Sequence, residues 1–147
     1  MTASLCKVSF DKKENKIKKQ FKETRQGISK FFQELFVYFR LVNLNLDYVP
    51  KLLKYSTKEH WFEISYVGES LDRILYRKSK RHLNSIIREL HERFKEDTQF
   101  YHNDIRYKNV CFNEENDKYY LIDFENCKFK FKDKNDNLIL NDTYIRN

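Results

Sequence analysis

The chain has 147 residues, 40% hydrophobic and 35% charged, with ten Tyr and thirteen Phe; this is a globular, single-domain composition with an aromatic core, and it excludes a disordered segment. The 29 Lys and Arg against 22 Asp and Glu leave a formal charge of +7, a balance that suits phosphate-bearing partners such as nucleotides or nucleic acid. No apolar run approaches the roughly 20 residues of a membrane span, and Cys6, Cys111 and Cys127 lack the paired spacing of a zinc site. We therefore expect a soluble intracellular protein, cytoplasmic by default with a nuclear location left open, and no membrane partner.

Taken in chain order, Ser4 to Phe10 alternates apolar and polar residues, Asp11 to Asn15 is a turn, and Lys16 to Phe21 is a second strand, which predicts a hairpin. Its lysines, from Lys12 through Lys22, are interleaved with acids and amides, the pattern of a solvated hairpin. From Arg25 to Val42, the residues Ile28, Phe31, Phe32, Leu35, Phe36 and Phe39 recur at helical spacing, predicting a helix with this stripe in the core. It gives way at Asn43 to Asp47 and Pro50. Lys51 to Tyr55 and His60 to Val67 read as antiparallel strands ending at Gly68. Leu71 to Tyr76 reads as a short helix, the basic stretch Arg77 to Arg81 as a link, and Arg81 to Lys95 as a longer helix with Leu83, Ile86, Ile87, Leu90 and Phe94 on one stripe. After a loop at Gln99 to Lys108, the segments Asn109 to Phe112 and Lys118 to Phe124 flank an acidic turn and form a second hairpin. Cys127, Phe129 and Phe131, a loop from Lys132 to Asn137, and Leu138 to Leu140 predict a terminal strand pair. No internal repeat or domain boundary interrupts the chain.

The chemistry clusters around the second hairpin, in Tyr101-His102-Asn103-Asp104-Ile105-Arg106-Tyr107-Lys108-Asn109-Val110 and Tyr120-Leu121-Ile122-Asp123-Phe124-Glu125. An Asp, an Asn five positions later and an Asp closing an apolar strand supply what phosphoryl transfer from ATP requires: a carboxylate near the attacking hydroxyl, and oxygen ligands that hold magnesium against the phosphates. Ordinary turn chemistry, with Asp capping backbone amides, is the competing explanation. An apolar Leu121-Ile122 leading directly into Asp-Phe is harder to obtain that way.

These residues resemble the catalytic loop and metal-binding segment of the protein-kinase-like superfamily, which includes the aminoglycoside- and choline-kinase relatives. The resemblance implies an α+β fold. A small antiparallel sheet with one helix would occupy approximately residues 1–67, and a short helical lower lobe carrying the catalytic-loop hairpin residues 68–147, the whole being a single truncated domain. It implies ATP and Mg2+ as cofactors, with Asp104 as base or hydroxyl-orienting group, His102 as the buttress of the loop, and Asn109 and Asp123 as magnesium ligands. Less specifically, Ile17 to Phe21 resembles the strand that carries the phosphate-binding lysine, Lys19 being chosen narrowly over Lys18. Glu34 would be its ion-pair partner, and the backbone from Glu63 to Val67, including Tyr66 and Val67, would face the adenine.

Asn103 stands where the superfamily usually has Arg, and Glu125 where it has Gly; only Gly27 and Gly68 occur, so no glycine-rich loop covers the phosphates. The expected function is phosphate transfer to a hydroxyl of a protein or a small molecule. The alternatives are a catalytically inactive pseudokinase acting as an interaction module and, less favoured, a basic nucleic-acid-binding module. A homodimer would cover surface that a longer relative buries with its own chain.

Overall fold

In the computed structural model, which describes residues 4–132 and 138–141 and the side chains of residues 4–128, β1 (Cys6–Asp11) and β2 (Lys16–Phe21) form the expected antiparallel hairpin. Its turn is closed by the Asp11 carboxylate, which accepts the amides of Lys13 and Glu14 at 3.1 Å each. Asn15 takes a positive φ of 56°, a conformation its short polar side chain tolerates.

Helix α1 (Arg25–Leu44) starts where the Thr24 hydroxyl accepts the Gly27 amide at 3.0 Å and stops at Asn45 in the left-handed conformation. Gly27 is needed for close approach: a Cβ there would lie 2.3 Å from the Lys22 carbonyl oxygen. The buried face is Gly27, Phe31, Glu34, Leu35, Val37, Tyr38 and Leu41. This corrects the sequence-based stripe, because Phe32 and Phe39 are 42% and 40% exposed. Apolar residues lie on more than one face of α1, and periodicity alone does not choose among them. The face that wins carries Glu34, whose charge is matched from β2.

β3 (Leu52–Ser56) and β4 (Trp61–Ser65) complete a four-stranded antiparallel sheet in the order β1-β2-β4-β3. Phe31 and Tyr38 of α1 pack on its inner face, with ring centroids 5.7 Å from Phe21 and 5.4 Å from Phe62 respectively. The chain leaves the sheet through Gly68 at φ 118° and runs so close to Phe112 that a Cβ would lie 2.1 Å from its carbonyl oxygen.

The lower part begins with β5 (Glu69–Ser70), α2 (Leu71–Ile74) and one 3-10 turn at Leu75–Arg77. Ser79 then caps α3 (Lys80–Thr98), so the expected basic link shortens to two residues. Leu83, Leu90, Phe94 and Thr98 are its buried stripe, with Ile86 and Ile87 partly covered. β6 (Phe100–Tyr101) falls inside a predicted loop, since two residues carry no readable period. β7 (Val110–Asn113) pairs with both β5 and β8 (Lys118–Leu121). The strand expected to run to Phe124 ends at Leu121, because Asp123 turns the backbone with a φ of 65°. β9 (Lys128–Lys132) pairs with β6 and with β10 (Leu138–Asn141), the expected terminal strand pair; residues 133–137 of the loop lie outside the described residues.

Phe124 joins the two parts, its ring lying 5.2 Å from Tyr38 of α1 and 5.5 Å from Phe94 of α3, so one aromatic core runs from the sheet to the lower helix. The fold is α+β, a small antiparallel sheet with few helices. Among the described residues no helix is long and apolar enough to cross a membrane.

Candidate functional site

The alternation of β2 puts Ile17, Lys19 and Phe21 on one face, and the ammonium of Lys19 lies among aromatic rings, 5.6 Å from Phe21 and 5.8 Å from Phe62. A buried cation in such surroundings needs a counter-charge. Glu34, fully buried one helix away, supplies it at 2.6 Å. Lys18 points to the opposite face, over Trp61 at 4.5 Å. Burial works against the charge of Lys19, but Glu34 and then Asp123 outweigh it and hold the ammonium above the usual lysine range. Burial also raises the Glu34 pKa, with Lys19 opposing. The second oxygen of Glu34 accepts the backbone amide of Phe124 at 3.0 Å.

That amide brings the end of the second hairpin to α1 and with it Asp123. Asp123 Oδ1 lies 3.8 Å from Lys19 Nζ and is buried with no hydrogen-bond partner among the described residues. Glu34, Asp123 and Glu125 each offer an oxygen within 4.8 Å of the others. Burial and the neighbouring Asp123 raise the pKa of Glu125.

The residues of the loop between Tyr101 and Asn109 attach to the same turn. His102 is 1% exposed; its Nε2–H donates to the Ile122 carbonyl at 2.9 Å and its Nδ1 accepts the Asp104 amide at 3.2 Å. Both ring nitrogens are thereby assigned, and the ring is neutral. Burial keeps its pKa below the usual value. The Ile122 amide donates to the Asn109 carbonyl at 3.0 Å, and the Asn109 side-chain amide donates to the Asp104 carbonyl at 2.8 Å and to its carboxylate at 3.0 Å. Arg106 Nε holds the other carboxylate oxygen of Asp104 at 3.1 Å. Asn103, at φ 68°, ties the loop to the Asn126 carbonyl at 3.0 Å.

The residues singled out from sequence thus fall into two linked groups. Lys19, Glu34 and Asp123 form one; Asp104, Asn109 and His102 form the other; Ile122 hydrogen-bonds both His102 and Asn109 immediately before Asp123. Tyr66 and Val67 make no hydrogen bond or ion pair with either group. Tyr66 packs on Phe10 with centroids 4.4 Å apart and lines a cavity of about 300 Å³ with Asn15, Gly68, Arg77 and Phe112, while Val67 is buried. Sequence reasoning missed Arg106 as the partner of Asp104 and Glu125 as the third carboxylate. The first had no signal, since spacing along a loop does not report direction. Glu125 was visible only as a departure from Gly.

The sequence matches no protein-family model and no curated protein. Among solved structures, the co-crystal structure of WbdD and kinase inhibitor LY294002 is similar to this chain with a TM-score of 0.58 at 20% identity, over 86% of this chain and 32% of that one. The chain therefore spans about a third of the length of that protein. At this identity the likeness concerns the fold, which is kinase-like.

Proposed function

We propose that this chain is an ATP- and magnesium-dependent phosphotransferase of the protein-kinase-like superfamily, transferring phosphate to a hydroxyl of a protein or of a small molecule. The observation that carries the reading is the buried Lys19, paired to Glu34 at 2.6 Å and facing the unpartnered Asp123 oxygen at 3.8 Å. A lysine fixed in this way presents a positive charge next to an acceptor oxygen that no hydrogen bond among the described residues satisfies, an arrangement that suits a phosphate and its metal.

Asp123 and Glu125, whose carboxylates lie within 4.8 Å of one another, together with Asn109 would supply oxygen donors of the kind Mg2+ takes, and the bound metal would supply charge neutralisation at the phosphate oxygens. Lys19 would orient the phosphates, held in place by Glu34. Asp104, its carboxylate aimed by Asn109 and Arg106, would orient the acceptor hydroxyl. His102 acts structurally, tying Asp104 to the backbone before Asp123. The likeness in fold to a protein crystallised with a kinase inhibitor supports a nucleotide site in this chain. An ATP requirement and the three free cysteines favour an intracellular, cytoplasmic setting.

A second reading, a non-catalytic module of the same fold, is favoured by a first hairpin whose turn, Asp11 to Asn15, holds no glycine. Thermal shift with ATP, with and without Mg2+, on the wild type and Asp123→Asn separates the two. Magnesium-dependent stabilisation that disappears in Asp123→Asn is expected. A folded wild type that ignores ATP and Mg2+ would sink the phosphotransferase reading and leave the interaction module.

A further inference from the structure

β1 is the outer strand of the four-stranded sheet, and every residue in it after Cys6 is exposed. The Lys22 amide donates to the Leu5 carbonyl at 2.9 Å, which sets the hydrogen-bonding phase of the hairpin. Lys7, Ser9 and Asp11 turn their backbone groups inward to β2, and Val8 and Phe10 turn theirs outward, where the described residues offer no partner. An uncovered edge of this kind is a template for another strand. Lys7 makes no ion pair among the described residues, and Asp11 uses one carboxylate oxygen for its turn, leaving the other free.

We propose that β1 pairs antiparallel with β1 of a second copy of this chain, across a twofold axis at Ser9. The inference does not depend on the phosphotransferase reading. The outward phase of Val8 and Phe10 restricts the register, because those residues must form the hydrogen-bonded pairs of the new ladder. Centred on Lys7, the pairing sets Lys7 against itself, which is repulsive. Centred on Val8, it sets Lys7 against Ser9 and gains no charge contact. Centred on Ser9, Lys7 faces Asp11 of the second copy, Val8 faces its Phe10, and symmetry repeats both pairs. Only this register matches opposite charges and apolar side chains together.

The pairing also bears on the sheet face that carries Lys19. Val8 lies directly across from Lys19, and Phe10 from Ile17, so both share the Lys19 face of the sheet, where they are 57% and 47% exposed. In the proposed dimer, Phe10 of the second copy falls next to Val8 and extends the apolar surface beside Lys19. The ladder is short and its area well under that of a standard stable interface, so association is weak and concentration-dependent.

Sedimentation velocity of the full chain over a concentration series tests this, together with Lys7→Glu, an exposed change that leaves the fold alone. The wild type is expected to dimerise as concentration rises, and Lys7→Glu, which sets like charges opposite at two symmetric positions, to weaken the dimer about tenfold or more. In a Cys6→Ser background, Ser9→Cys should give a disulfide-linked dimer on mild oxidation, because Ser9 faces its own symmetry mate in a close non-hydrogen-bonded pair, and Lys7→Cys should not. A wild type that stays monomeric throughout, a dimer indifferent to Lys7→Glu, or cross-linking through Lys7→Cys in preference to Ser9→Cys overturns the proposal.

Discussion

Glu34 accepts the backbone amide of Phe124 at 3.0 Å, and the same carboxylate holds Lys19 at 2.6 Å through its other oxygen. One buried side chain on α1 therefore joins the sheet to the turn that carries Asp123. Replacing it by Ala leaves the buried Phe124 amide without its acceptor and the buried Lys19 ammonium with only Asp123, 3.8 Å away. Glu34→Ala should lower unfolding free energy by about 3 kcal/mol, measured by urea denaturation. A loss below about 1 kcal/mol would show that the pair is not the junction described.

Lys18 and Lys19 are adjacent, alike and on opposite faces of β2. Under the proposed function Lys19→Met abolishes magnesium-dependent ATP binding, and Lys18→Met leaves it unchanged, removing only a contact to Trp61 worth about 0.5–1 kcal/mol of stability. Calorimetric titration with ATP and Mg2+ reads both. Equal losses in the two variants would contradict the assignment of Lys19.

His102 introduces a pH dependence with a defined sign. Burial lowers its pKa in the folded protein below 6.5, although the Ile122 carbonyl and the carboxylates of Asp123 and Asp104 pull the other way. The unfolded chain therefore binds the proton more readily. Its contribution is fully present above pH 6.5 and is lost as pH falls from there through the depressed folded value. Glu34 and Glu125, whose pKa values are raised, titrate with the opposite sign, so the informative quantity is the difference between wild type and His102→Gln. Chemical denaturation from neutral to mildly acidic pH should show the wild type losing more stability than the variant; parallel curves would refute the buried neutral imidazole.

Gly68 sits at φ 118° with the Phe112 carbonyl oxygen 2.1 Å from where a Cβ would stand. Gly68→Ala combines backbone strain with a clash against a strand, and we expect it to cost about 2–4 kcal/mol. Thermal melts would register this as a drop of several degrees. An unchanged melting temperature would mean that the passage from β4 to β5 relaxes freely.

Much of the fold was legible in the sequence because the signals were local. The alternation in Lys16 to Phe21, the helical spacing after Arg25 and the stripe from Leu83 to Phe94 reappear as β2, α1 and α3, since each needs only a period and a cap. The misreadings came where neighbours in space decide. Phe32 and Phe39 satisfy the same helical spacing as Phe31, yet they face solvent because α1 is rotated to deliver Glu34. β6 is too short to carry a pattern, and β8 stops early because Asp123 takes a left-handed conformation.

For the candidate site, sequence alone determined the cast: which residues bear carboxylates, amides and ammonium groups, and the spacing from Asp104 to Asn109 to Asp123. Tertiary structure decided who meets whom. The pairing of Lys19 rather than Lys18 with Glu34 follows from the face that β2 turns inward, and the joining of Asp104 to Asp123 through His102 and Ile122 follows from a turn that buries an imidazole. Residue type and spacing are properties of the chain, whereas the burial of a charge, and hence the partner it must have, exists only once distant segments have packed.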